Sequence, residues 1–278
     1  MKANEILGLD DLVFIEPQFS ELPEPHYNTE LARASGSEGR LLLDENEEPI
    51  ALAFGEGRSW TAGSFLCRDP TATLIEKFEN LNGEIYQVDR LEWAAAVREY
   101  FGFALKAGIP PAIEDLNLNR RGILTGLIQK FWEQGDGTPC IDACCGSGVG
   151  SLVLRDLGFV PLSYDNDETL LSLGLATGRL MPEEIMWIDA TRVSEYTAPV
   201  QKGIGIMMGE INSFSEDMWH QIVSELFAVT RETLITVGTK PEAELIRAWG
   251  GELGRTVEIT ENPADPIYDI WVCRALPE

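Results

Sequence analysis

The segment Cys140-Ile141-Asp142-Ala143-Cys144-Cys145-Gly146-Ser147-Gly148-Val149-Gly150 limits the folds open to this chain more than any other stretch. A short apolar run enters a turn with glycine at every second position. The residues that follow, Val149, Leu152, Val153 and Leu157, recur at helical spacing. A strand that passes through such a turn into an amphipathic helix brings backbone close to whatever lies above it. Glycine permits the approach, because a Cβ would collide with a bound molecule or forbid the turn, and the helix N-terminus favours an anionic group nearby. Tight strand-to-helix turns also use glycine for structure alone, so the motif needs its context.

That context is an alternation of strand-length apolar runs, at 139–143, 160–164, 185–188, 203–208 and 233–237, with helical stretches such as Met218, Ile222, Leu226 and Val229. The pattern predicts a mostly parallel sheet covered by helices. Ser215 stands ahead of Glu216 and Asp217 at one helix start, and Thr239 with Glu242 and Pro241 forms a capping-box signature at another, with Gly250-Gly251 expected to end that helix. Two further runs, 256–260 and 268–274, are joined by the polar turn Glu261-Asn262-Pro263-Ala264-Asp265-Pro266, too short for anything but an antiparallel pair.

The first hundred or so residues read differently. Extended segments at 12–15, 40–43 and 50–54 and helical patterns at 71–81 and 91–105 predict a small α+β domain, with Tyr27, Phe54, Trp60 and Phe65 as pocket or core aromatics. Gly108-Ile109-Pro110-Pro111 marks the joint, and a helix over 118–132 leads into the first strand of the second domain. The expected division is therefore 1–111 and 112–278.

Asp165 falls at the end of the second strand, where a carboxylate can accept both hydroxyl protons of a ribose, and Asp189 falls at the end of the third. Carboxylates at successive strand ends converge on the edge where open α/β sheets bind ligands. From the helix before the first strand to Arg274, the chain resembles the class I S-adenosylmethionine (SAM)-dependent methyltransferases. The resemblance implies a Rossmann-like, doubly wound, mostly parallel seven-stranded sheet with one antiparallel strand, and SAM as cofactor. It also implies that Asp142, Ala143, Cys144, Gly146, Ser147 and Gly148 hold the amino-acid end of SAM. Asp165 with Asn166 would hold the ribose, and Asp189 with Ala190 the adenine. Arg121, near the start of the preceding helix, would offer a cation to the SAM carboxylate. The family's turn reads Asp-x-Gly-x-Gly-x-Gly, and Cys144 replaces the first glycine here. Cys144 and Cys145 are read as small packing residues. A nicotinamide-binding turn would need Gly-x-Gly-x-x-Gly, whereas Gly146, Gly148 and Gly150 give Gly-x-Gly-x-Gly.

The acceptor of such an enzyme sits beyond the fourth strand, here the segment Met207-Met208-Gly209-Glu210-Ile211-Asn212. Asn/Asp-Pro-Pro-Tyr, the nitrogen-methylating motif of the family, is absent from it. Glu210 is the candidate catalytic group, as a base or a positioning carboxylate, with Asn212 behind it. A net charge of −25 argues against a nucleic-acid backbone as partner. The expected acceptor is a small metabolite or a protein side chain; the competing readings are a catalytically degenerate SAM-binding or interaction module and a nucleic-acid methyltransferase. With no apolar run of membrane length, no apolar stretch at the N-terminus, five irregularly spaced cysteines and two histidines, the chain reads as a cytoplasmic protein without a metal site.

Overall fold

Asp44 shows how the N-terminal third takes shape. Its carboxylate accepts the N–H groups of Asn46 (2.9 Å) and Glu48 (3.0 Å), closing a turn that lets two apolar strands meet. The computed structural model describes residues 1–81, 83–114, 117 and 119–277. Two compact units are present, Met1–Ala104 and Leu105–Glu278. The division lies inside a helix, ahead of the Gly108-Pro111 segment.

The first unit comprises α1 (Lys2–Ile6), β1 (Val13–Phe14), α2 (His26–Arg33), β2 (Glu38–Leu43), β3 (Pro49–Glu56), β4 (Ser59–Ser64), α3 (Ala72–Asn80), β5 (Glu84–Gln87) and most of α4 (Arg90–Gly108). β2, β3 and β4 form an antiparallel meander, with β1 parallel to β4 on one side and β5 parallel to β2 on the other. Leu31, Leu41, Leu52, Phe54, Phe65, Leu74 and Phe78 make one core. Lys77 Nζ donates to the carbonyls of Ala32 (3.0 Å) and Ala34 (2.6 Å), satisfying the end of α2. Tyr27, Phe54, Trp60 and Phe65 are all buried.

The second unit holds α5 (Arg120–Ile128), β6 (Pro139–Ala143), α6 (Val149–Asp156), β7 (Val160–Asp165), α7 (Glu168–Thr177), β8 (Ile185–Trp187), β9 (Val200–Gly205), α8 (Glu216–Ala228), β10 (Thr230–Val237), α9 (Lys240–Glu252), β11 (Arg255–Glu261) and β12 (Trp271–Pro277). Its seven strands lie in the order β11-β12-β10-β9-β6-β7-β8. β6 to β10 run parallel, whereas β12 is antiparallel to both neighbours, β10 and β11. Leu124, Leu127 and Ile128 of α5 and Val153 and Leu154 of α6 pack on Ile204 and Leu234 of the sheet. Among the described residues no helix is long and apolar enough to cross a membrane, and no cluster of His, Cys, Asp or Glu could hold a metal ion.

Several boundaries differ from the sequence expectation, each for a local reason. Leu118, the expected start of α5, lies outside the described residues. β9 stops at Gly205 although the apolar run continues, because Met207 takes a left-handed φ of 59°. Gly250 and Gly251 do not end α9. A Cβ on Gly250 would lie 2.4 Å from Val257 Cγ2, so this glycine lets β11 pack close; the turn falls at Gly254, with φ 69°. The last strand begins at Trp271 rather than Tyr268, since residues before it fold into a loop fastened by Asn262 and Asp265. The Thr239–Glu242 capping box forms as expected and contributes about 0.5–2 kcal/mol.

Candidate functional site

The parallel register brings the ends of β6, β7, β8 and β9 to one edge: Ala143 pairs with Tyr164 and with Gly205, and Asp165 pairs with Trp187. After β6 the chain turns through three left-handed residues, Cys144 (φ 51°), Gly146 (φ 53°) and Gly148 (φ 81°). Cys144 therefore occupies the conformation that glycine adopts without penalty and that costs an L-residue about 1–2 kcal/mol. The turn is tied down by its own backbone. Cys145 N–H donates to Tyr164 O (3.0 Å) and Gly148 N–H to Cys145 O (2.9 Å).

The glycines serve different ends. At Gly148 a Cβ would meet Leu180 Cγ at 2.4 Å, a packing constraint. At Gly146 it would meet nothing closer than Leu170 Cδ1 at 3.9 Å, so the turn is open above this residue. Gly146 N–H points to Asp165, whose Oδ2 accepts it at 2.8 Å while Oδ1 accepts Asp167 N–H at 2.9 Å. Burial raises the Asp165 carboxyl above its ordinary range, and those two N–H bonds oppose the rise.

Asp142 is placed differently from Asp165. Its Oδ2 accepts the Ser151 hydroxyl at 2.5 Å, and Ser151 Oγ lies 2.8 Å from Ser163 Oγ, so the carboxyl is enclosed beneath the turn and fastens α6 to β6. Burial pushes it up to about 7. The same burial, with Asp165 nearby, pushes the Cys144 thiol up to about 12 and raises Cys145 well above the ordinary thiol range, leaving both protonated near neutrality.

On the adjoining strand end, Asn166 is exposed and its carbonyl accepts the Trp187 indole N–H at 3.2 Å. Asp189, also exposed, caps the short helical turn Ala190–Glu195 through Oδ1, which accepts Thr191 N–H (2.9 Å) and the Thr191 hydroxyl (2.8 Å). Ala190 is buried behind it.

Arg121 is not brought to the turn. Its guanidinium pairs with Asp156 at the far end of α6, at 2.6 and 2.9 Å, because successive residues of a helix point about 100° apart and only Arg120 faces the sheet edge. A different arginine reaches the turn. Arg179 Nε donates to Ser147 O (2.9 Å) and its Nη1 meets Glu114 Oε2 (2.9 Å), so a buried cation joins the turn to the segment ahead of α5. Arg179 follows α7 in Thr177-Gly178-Arg179-Leu180, and no local pattern distinguishes it. Trp187 falls inside the expected strand 185–188, and nothing in that pattern marks it for the site.

Across β9 the edge is held by side chains. Thr236 Oγ1 accepts Met207 N–H (2.7 Å) and donates to Asp269 Oδ1 (2.6 Å). Arg120 lies between Asp269 (3.0 Å) and Asp265 (3.4 Å). Glu242 accepts Ile211 N–H (2.9 Å) and closes the capping box with its other oxygen. Glu210 stands exposed on the loop so held, its backbone carbonyl accepting the Ser215 hydroxyl at 2.8 Å. Its carboxylate has no partner among the described residues. Asn212 is used within the loop, its Oδ1 accepting Phe214 N–H at 2.9 Å.

Numbered within this unit, the strands run third, second, first, fourth, fifth, seventh, sixth, with the seventh alone reversed and the acidic end of the second facing the glycine turn of the first. This is the fold of the class I SAM-dependent methyltransferases. No family model and no curated protein sequence matches the chain. Solved structures similar to it include magnesium protoporphyrin IX methyltransferase from Synechocystis with bound SAM (16% identity, 66% of this chain and 97% of that one, TM-score 0.47). A putative RNA methyltransferase from Pyrococcus horikoshii is similar at 16% identity over 64% of this chain and 94% of that one, TM-score 0.44. A precorrin-6y C5,15-methyltransferase from Geobacter metallireducens is similar at 9% identity over 61% and 94%, TM-score 0.45.

Proposed function

We propose that this chain is a SAM-dependent methyltransferase that binds its cofactor at the carboxyl edge of β6, β7 and β8. The observation that carries the reading is the Asp165–Gly146 contact beside an open turn. Each Asp165 oxygen takes one backbone N–H and keeps a further acceptor position, which suits two neighbouring ribose hydroxyls. Asp189 commits Oδ1 to its cap, while Oδ2 has no partner among the described residues and is available to an exocyclic amine. The open turn from Cys144 to Gly148 would hold the amino-acid end, with Asp142 supporting it from below. Arg121 is left out of the binding set.

When bound, SAM supplies an electrophilic methyl group on a sulfonium. The chain's part is to hold the acceptor in line and to take up its proton where the nucleophile carries one. Glu210 would do the latter through its unpartnered carboxylate. The acceptor would be a small metabolite or a protein side chain, and the Met1–Ala104 unit a substrate or partner domain.

Calorimetry with SAM and S-adenosylhomocysteine on the full chain tests the reading. Micromolar binding is expected. Asp165→Ala should weaken it about tenfold or more, corresponding to a lost hydrogen bond to a charged group of ~1.5–3 kcal/mol. Folded protein that binds neither compound would overturn the proposal.

A further inference from the structure

Beyond β9, the edge exposes apolar side chains that a soluble surface would ordinarily cover. Phe214 is fully exposed, Met207 is 51% exposed, and Met218 projects from the first turn of α8. On the loop ahead of β12, Ile267 is 64% exposed and Tyr268 lies beside it. These five are more than half of the nine large apolar side chains exposed among the described residues of the Leu105–Glu278 unit, and they sit on two loops of one edge and the helix start that follows the first. The loops are linked at short range. Met207 N–H meets Thr236 (2.7 Å), Thr236 meets Asp269 (2.6 Å), Asp269 meets Arg120 (3.0 Å), and Arg120 Cζ lies 5.1 Å from the Tyr268 ring centre. Apolar exposure concentrated in this way and rimmed by polar groups marks a binding surface.

The charge around it is mostly negative. Glu210, Glu216 and Asp217 flank Phe214, and Glu261 opens the second loop. Arg120 is already held between two aspartates, Lys240 lies over the Trp271 ring at 5.6 Å, and Lys130 Nζ donates to Asn262 Oδ1 at 3.4 Å. Among the described residues of this rim the four carboxylates outnumber the two ammonium groups, so a cation is favoured over an anion, and the Glu210 carboxylate is without a partner. The rim is next to the cofactor turn, since Gly205, two residues before Met207, pairs with Ala143, the residue before Cys144.

We infer that the acceptor is a neutral or cationic small molecule with an apolar, ring-sized body, seated between the loop after β9 and the loop before β12. This rests on the methyltransferase reading for the word acceptor, but the surface can be tested without it. Two probes share one ring system and differ in charge: 1-naphthylmethylamine and 1-naphthoate. Their binding to the full chain would be measured by ligand-observed NMR, with and without S-adenosylhomocysteine, at roughly 0.3 M salt to screen attraction to the net charge.

The amine should bind at least about tenfold more tightly than the carboxylate, a difference of ~1.4 kcal/mol. Phe214→Ser, at a fully exposed position that folding does not depend on, should weaken the amine about fivefold or more, whereas Leu253→Ser, an exposed apolar residue in the α9–β11 turn, should leave it unchanged. Equal or tighter binding of naphthoate, no binding of the amine, or an equal effect of both variants would overturn the inference. So would a dimer in sedimentation that Phe214→Ser dissolves, since a second copy would then cover the surface. Absence of S-adenosylhomocysteine binding with the amine preference intact would sink the cofactor reading and leave this surface standing.

Discussion

The two halves of the sheet edge are built in different ways. On the side proposed for the cofactor, β6 and β7 present a turn held mostly by backbone hydrogen bonds and by Asp165 near the strand ends, with one contact from farther along the chain, Arg179 Nε to Ser147 O. On the side proposed for the acceptor, the loop after β9 is held by largely buried side chains from remote parts of the chain: Arg120 and Asp265 are 145 residues apart, and Ile211 and Glu242 are 31 apart. The first half depends mainly on conformation, the second mainly on paired charge. Damage to the second should therefore cost stability before it touches cofactor affinity.

Arg120→Ala is the strongest way to break that contrast. It strands Asp265 and Asp269 without their cation in a buried setting, which should cost about 3–5 kcal/mol in denaturant unfolding. S-adenosylhomocysteine affinity per folded molecule should stay the same. A loss below ~1 kcal/mol would show that paired charge does not hold the acceptor side. Glu210→Gln should lower kcat about 100-fold, at the modest end of general-base effects, without moving the thermal midpoint, because the side chain is exposed and unpartnered. An unchanged kcat would remove Glu210 from the chemistry.

Asp142 offers a pH test of the cofactor side. Its folded carboxyl lies at about 7 against an ordinary 3.8, so the folded state holds a proton that the unfolded state has released. The associated stability is fully present below about pH 4 and is lost as pH rises through about 7. Asp142→Asn cannot ionise, so its stability between pH 5 and 8 should fall less than that of the wild type; parallel curves would contradict the burial argument. The smallest effect is expected from Cys144→Gly. Relief of a left-handed residue, ~1–2 kcal/mol, is offset by the entropy of glycine, ~0.5–1 kcal/mol, leaving a net gain of about 0–1.5 kcal/mol with cofactor binding intact. Lost binding would mean that the thiol itself touches the ligand.

The same division explains what the sequence disclosed. The glycine turn, the acidic ends of β7 and β8, the capping box of α9 and the reversed last strand are local patterns, and each is in place. Arg120, not Arg121, faces the edge because a one-residue step on a helix changes the direction completely, and periodicity over so short a helix does not distinguish them. Arg179, Glu242 and Asp269 act through partners far along the chain, and nothing next to them signals it. In the first unit, β5 was missed because Glu84–Gln87 is a short edge strand with mostly exposed side chains, and β4 because Ser59–Ser64 mixes polar and small residues without clear alternation.

The reversed β12 also has a consequence for how the molecule assembles. Among the described residues β11 hydrogen-bonds only to the strand β12, and β12 alone joins it to β10, so residues 271–277 must arrive before β11 can take its place. During synthesis the parallel strands β6 to β10 can pair as they emerge, while β11 waits with an open flank. Completion of the sheet is then timed by the ribosome reaching this segment, and a nascent chain stalled before it would expose the β10 flank to other unpaired strands.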